Sequence, residues 1–337
     1  MPPMLRFRRS PRRNFRHYAI AAVAISLVLA SAGCAILTTF WKMPLSYRAA
    51  KLPAGRIVRD VPYRNGADAH PEKHRLDVFR PPTDQGAPWP VLVFVHGGGW
   101  TSGDKSLSYL GNDVFGNIGR FYAARGLLTV VPSYRLQPGV DWRAQVEDIA
   151  DVVAWVRSSA ADYGGNPDAI FLSGHSAGAQ LVSYVTLERE HLVARGVTPE
   201  SVCGFVSVSG SAFDLADPET YELGFGRDYF EQRFRNGSPT NTWAHEASLV
   251  HRVGPDAPAA LLIYGEKELG GFERQATLLR DALVRANVPV QMWEAPGENH
   301  VLIVPALSRP RSPTSETVLA FLRETRCGTG QDPRAVH

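Results

Sequence analysis

The stretch FLSGHSAGAQ, residues 171–180, runs apolar side chains straight into Ser176, with Gly174 and Gly178 two positions away on either side. The next segment, AQLVSYVTL, has helical character. A G-x-S-x-G pattern is what a sharp strand-to-helix turn needs if it is to push a serine hydroxyl out of a sheet. Glycines at the flanks let backbone segments pass where side chains would collide. A glycine-rich turn around a solvated serine satisfies the same pattern, so the neighbouring elements have to discriminate between the two.

Strands and helices alternate on both sides of that turn. RIVRDVPY and HRLDVFRP read as two edge strands joined through the polar turn at Asn65 and Gly66. PVLVFVHGGGW is a continuous apolar run, the signature of a strand buried on both faces. A helix over about 111–125, the strand LLTVVPSYR and a helix carrying Val146, Ile149, Val152, Val153 and Val156 at helical spacing come next. AIFLSG, GFVSVSG, PALLIYGEKE and VPVQMWEAP are further strands, with helices over 271–286 and 313–325. Repeated βα units predict a mainly parallel, doubly wound α/β sheet. The rhythm breaks after residue 216, where DPETYELGFGRDYFEQRF brings Tyr221, Phe225, Tyr229, Phe230 and Phe234; a small helical cap over about 216–250 is expected there.

In such sheets, ligands bind beyond the carboxyl ends of the strands. The PVLVFV strand ends in His96-Gly97-Gly98-Gly99-Trp100, and three consecutive glycines leave backbone N–H groups unshielded, as an oxyanion site requires. His96 is expected to shape that loop by hydrogen bonding and to transfer no proton. A serine nucleophile needs a base, and the base an orienting acid. Of the histidines after Ser176, His191 lies in a charged helix tail, His245 and His251 in the cap region, and His337 at the terminus. His300, in PGENHVLI just past a strand, is at the correct end of the sheet. For the acid, the strand LLIYG leads into Glu266-Lys267-Glu268, and either glutamate could serve.

With 44% hydrophobic and 20% charged residues over 337, the composition is that of a globular chain. The formal charge of +3 is misleading, because residues 1–42 hold seven Lys or Arg and no acid. Residues 43–337 carry 29 basic against 33 acidic side chains, which removes the compositional support for nucleic-acid binding. The six arginines precede an uncharged 24-residue run, YAIAAVAISLVLASAGCAILTTFW, and the pair predicts an export signal with the domain from residue 43 to 327 outside the cytoplasm. LASAGC resembles a bacterial lipobox and would make Cys34 the lipidated residue, although Ser31 stands where a lipobox usually has leucine. RRNFRH resembles a twin-arginine signal, and an uncleaved run would be long enough to anchor in a bilayer. Each fate puts the protein in a bacterial cell envelope, periplasmic or held at a membrane. Residues 328–337 read as a flexible tail. Cys203 lies in an apolar strand and is expected to pack as a small hydrophobe, without a bridge to Cys327. No CxxC or HExxH spacing occurs, so a metal site is not expected.

Taken together, HGGGW, GDK, SYRLQP, YGGNPDAIFLSGHSAGAQL, SGSAFDL and GENH, spread over about 75–305, resemble α/β-hydrolases of the carboxylesterase and hormone-sensitive-lipase-like group. The most similar branch holds feruloyl and acetyl xylan esterases, prenylcysteine methylesterases and kynurenine formamidases. The resemblance implies a serine esterase without metal or organic cofactor, acting on a small-molecule ester. It implies attack by Ser176, proton transfer to His300, and an oxyanion held by N–H groups of Gly98, Gly99 and Ala177. The family's acid ends a G-x-x-D pattern, here Gly265-Glu266-Lys267-Glu268, which favours Glu268 although glutamate replaces aspartate. The flexible LGGF just after it would let it fold toward His300, while Glu266 faces solvent or braces the turn; Glu298, beside His300 in its own loop, is the outside candidate. Formamide hydrolysis uses the same groups, and a non-catalytic binding protein on the same fold is a third possibility.

Overall fold

The buried apolar runs form one eight-stranded sheet. Its strands are β1 (Ile57–Pro62), β2 (Arg75–Phe79), β3 (Trp89–Val95), β4 (Leu128–Pro132), β5 (Gly165–His175), β6 (Val202–Val208), β7 (Ala259–Gly265) and β8 (Val290–Ala295). The spatial order is β1-β2-β4-β3-β5-β6-β7-β8. β1 and β2 pair antiparallel with each other, and β2 pairs antiparallel with β4. All remaining pairs are parallel. The computed structural model describes residues 50–109, 111–235 and 242–327, all within the unit Ser46–His337. The leader with Cys34, and the tail from 328, lie outside the described residues. Among the described residues, no helix is long and apolar enough to cross a membrane.

The helices match the sequence pattern closely. Apart from the four-residue turns Glu190–Val193 and Ile303–Ala306, they are α1 (Val114–Ala123), α2 (Trp142–Ser159), α3 (Ala177–Leu187), the three short cap helices α4 (Pro218–Leu223), α5 (Arg227–Phe234) and α6 (Trp243–Ala247), then α7 (Gly270–Arg285) and α8 (Pro313–Glu324). Asp113 and Asp141 cap α1 and α2, accepting from the N–H groups of Gly116 and Ala144, so each satisfies a donor the helix leaves unpaired. The predicted valines of α2 are all buried, as is the whole of β6.

Two expectations are corrected. HRLDVFRP does not lie at the sheet edge: β2 sits between β1 and β4, and only β1 is terminal on that side. Its burial pattern fits the inner place, since Leu76 to Phe79 are all buried. Cys203 is not a free apolar residue either; it forms a disulfide with Cys327, 124 positions away. Gly204 marks how closely the two segments pack. A side chain there would stand 3.1 Å from the Phe321 ring, so the bare glycine lets α8 settle on β6 and brings Cys327 to the strand's first residues. No local pattern in the sequence reports that approach.

Candidate active site

Ser176 is the only residue between Ala169 and Leu187 that is not buried. It stands between β5 and α3 with φ 55° and ψ −120°, a conformation that costs a non-glycine residue about 1–3 kcal/mol. Tight surroundings hold it there. The Ser176 N–H donates to the Val208 carbonyl of β6 at 2.9 Å. A Cβ on Gly174 would strike the Gly178 carbonyl, and one on Gly178 would strike the carbonyls of Val95 and His96. Both glycines are therefore required by close approach of backbone to backbone.

The glycine loop after β3 packs directly against this turn: a Cβ on Gly97 would lie 3.0 Å from Ser176 Cβ. Gly98, Gly99 and Trp100 all have positive φ, at 132°, 59° and 65°. Among the described residues, the N–H groups of Gly98, Gly99 and Ala177 have no hydrogen-bond partner, and Ala177 opens α3. Three unclaimed donors beside one hydroxyl can receive a negatively charged oxygen. His96 is fully buried, bonds its own loop through Nδ1 to the Gly97 carbonyl at 2.7 Å, and stacks on Tyr134. Burial lowers its pKa to about 4, so it stays neutral and structural.

His300 approaches from the loop after β8. Its Nε2 lies 3.0 Å from Ser176 Oγ and its Nδ1 3.3 Å from Glu268 Oε1. The carboxylate only accepts, so the proton belongs on Nδ1, and Nε2 is left with its lone pair toward the hydroxyl. A neutral imidazole so placed can take the serine proton as the oxygen attacks. The Glu268 side chain is 2% exposed. Its Oε1 also accepts from Ser209 Oγ, and Ser209 is itself held at positive φ. The other two glutamates point elsewhere. Glu266 accepts from the Gly297 N–H at 2.6 Å and braces the turn, while Glu298 pairs with Arg309 at 2.7 Å. The Glu298 carbonyl in turn accepts from the Lys267 N–H, joining the two loops.

Three residues that build this arrangement escaped the sequence reading. His175, buried beside Ser176, donates through Nε2 to the His300 carbonyl at 2.9 Å. Burial, then the neighbouring His300, pushes its pKa well down, which keeps it neutral. Phe272 of α7 stacks on the His300 ring at 4.4 Å, and Ser209 holds the acid. His175, Ser209 and Phe272 stand in the sequence only as unassigned letters inside GHSAG, SGSAFDL and LGGF. His191, His245 and His251 lie away from Ser176. His191 bonds Glu147 and Glu188, and the rings of the other two meet at a tilt, 4.4 Å apart. No group of three or more His, Cys, Asp or Glu among the described residues converges as metal ligands would.

The cap closes one side. Gln275 of α7 satisfies its entry, accepting from the N–H groups of Phe213 and Asp214 and donating to the Asp214 carbonyl. Arg274 pairs with Asp217, the N-cap of α4. Phe225 meets Phe272 edge-on and stacks on Tyr229, so an aromatic wall runs from His300 toward the glycine loop.

Strand order, elbow and cap define an α/β-hydrolase fold. Esterase B from Lactobacillus rhamnosis superposes with a TM-score of 0.66 at 23% identity, covering 88% of this chain and 94% of that one. An esterase from Pyrobaculum calidifontis gives 0.64 at 21%, covering 84% and 89%. At such identities the likeness is one of fold. The chain belongs to the BD-FAE family, whose description matches residues 76–282. It is 29% identical over 273 residues to esterase LipQ of Mycobacterium tuberculosis, covering 78% of this chain and 61% of that protein. It is 30% identical over 240 residues to isoprenylcysteine alpha-carbonyl methylesterase ICME of Arabidopsis thaliana, covering 68% and 54%. The chain thus spans little more than half to three fifths of the length of these two relatives. These relatives fall in the branch to which the motifs pointed.

Proposed function

We propose that the protein is a serine hydrolase of carboxylic esters, working through an acyl-enzyme. Ser176 Oγ attacks the ester carbonyl carbon while His300 Nε2 takes its proton. Glu268 fixes the ring and balances the imidazolium that results. The N–H groups of Gly98, Gly99 and Ala177 hold the oxyanion. His300 then returns the proton to the departing alkoxide, and water repeats the sequence on the acyl-serine to release the acid. The observation that carries this reading is the Ser176 Oγ to His300 Nε2 contact of 3.0 Å at a strained elbow. The named activities of the relatives support it. A panel of nitrophenyl esters of rising chain length, run beside feruloyl esters and N-formylkynurenine, tests it. Ester turnover exceeding formamide turnover is expected. Formamide preference would move the reading to an amide hydrolase, and no turnover at all would favour a binding protein.

The same proposal places the domain outside the cytoplasm. The arginine-led leader motivates it, and the Cys203–Cys327 disulfide supports it, because such bonds persist in oxidising compartments. Lipidation at Cys34 is the proposed anchor. Fatty-acid labelling should mark the wild-type protein and not Cys34→Ser; label remaining in the variant would sink the lipoprotein form.

A further inference from the structure

The loop Gly97–Trp100 has no regular structure to hold it, yet each of its carbonyls has a donor. The Gly97 carbonyl lies 2.7 Å from His96 Nδ1. The Gly98 carbonyl takes Ser102 Oγ and the N–H groups of Thr101 and Ser102. The Trp100 carbonyl takes the Gln137 N–H and Gln145 Nε2. The Gly99 carbonyl has one donor among the described residues, Arg233 Nε of cap helix α5, at 3.0 Å. The guanidinium is itself fixed: it lies 3.6 Å above the Tyr229 ring and donates to the Tyr229 carbonyl at 2.8 Å. Helix α5 is fixed at the same end, where Gln137 and Trp142 donate to the carbonyls of Arg233 and Phe234.

We propose that Arg233 is a positioning residue for the oxyanion site, clamping the Gly99 carbonyl so that the preceding glycine amides keep their aim. This rests on the ester-hydrolase reading given above. The geometry gives the clamp two effects. Gly99 is at φ 59° with no side chain to limit its rotation, so its carbonyl bond supplies the restraint. Arg233 also brings a cation to the loop whose amides would hold the oxyanion, since its Nε reaches the Gly99 carbonyl and the neighbouring Glu231 pairs instead with Arg227 and Arg235. Preorganised donors and charge act on the intermediate and little on the neutral ester, so the loss should fall on turnover.

The test compares Arg233→Met and Arg233→Lys with the wild type on one nitrophenyl ester. Thermal midpoints are measured first, and rates are taken below the lowest. Affinity for an alkylboronic acid, which forms a tetrahedral anion on a serine hydroxyl, is measured alongside. For Arg233→Met, kcat should fall between about tenfold and a hundredfold while KM stays within about threefold. Boronate affinity should fall in the same proportion, and Arg233→Lys, which keeps the charge and loses the planar fork, should recover part of both. A variant with unchanged kcat, a loss confined to KM, or unchanged boronate affinity overturns the inference. If Arg233→Met melts early, the same three readings on Arg233→Lys decide it. A wild-type protein inactive on every ester defeats the hydrolase reading and this inference together. An active wild type with an unaffected Arg233→Met defeats this inference alone.

Discussion

Ser176→Ala is expected to abolish ester turnover and to leave the thermal midpoint close to that of the wild type. Alanine differs by one oxygen, and it meets the same backbone strain at φ 55°, so the elbow has no new reason to rearrange. Ser176 is partly exposed, and His300 Nε2 is the one hydrogen-bond partner of its hydroxyl among the described residues. Loss of a serine nucleophile from such a group costs roughly three or more orders of magnitude in turnover. Initial rates on a short nitrophenyl ester, with a melting curve on the same sample, check both halves. Turnover near that of the wild type would remove Ser176 from the mechanism.

The second large effect separates three glutamates. Glu268→Gln should lower turnover by about three to four orders of magnitude, because an amide cannot compensate the imidazolium and favours the wrong ring tautomer. Glu266→Gln should cost less than about tenfold, since the amide oxygen still accepts from the Gly297 N–H and the side chain faces away from His300. Glu298→Gln should behave likewise on chemistry, because the group that reaches the neighbouring loop is its carbonyl and not its carboxylate. Turnover of the three variants on one ester ranks them. If Glu266→Gln is the dead variant, the register that favours Glu268 is displaced by two residues.

Most of the frame was legible because periodicity reports burial. Continuous apolar runs became β3, β4, β5 and β6, and the α2 valines at helical spacing became a buried face. Ser176 and His300 could be named because their motifs are local: a glycine pair marks the elbow, and a histidine comes just after the last strand. Glu268 needed a family register, since two glutamates in one loop look alike until a fold aims one inward. The hidden features depend on approach between distant segments. The disulfide needed α8 to lie on β6, β2 needed β1 to flank it, and His175 reveals its use only when the His300 carbonyl arrives 2.9 Å from its ring. Arg233 is one of two arginines in a charged helix, and nothing in RDYFEQRF says which of them reaches Gly99.

In the proposed mechanism, ester cleavage passes through a covalent bond to Ser176. Wild-type protein mixed with a nitrophenyl ester, quenched in acid within the first turnovers and digested for mass spectrometry, reads this directly. The acyl mass is expected on the peptide that contains FLSGHSAGAQ, localised to Ser176 and absent from Ser176→Ala. An acyl group on any other residue accompanying turnover would contradict it, as would ester hydrolysis that survives in Ser176→Ala with no acylated peptide at all.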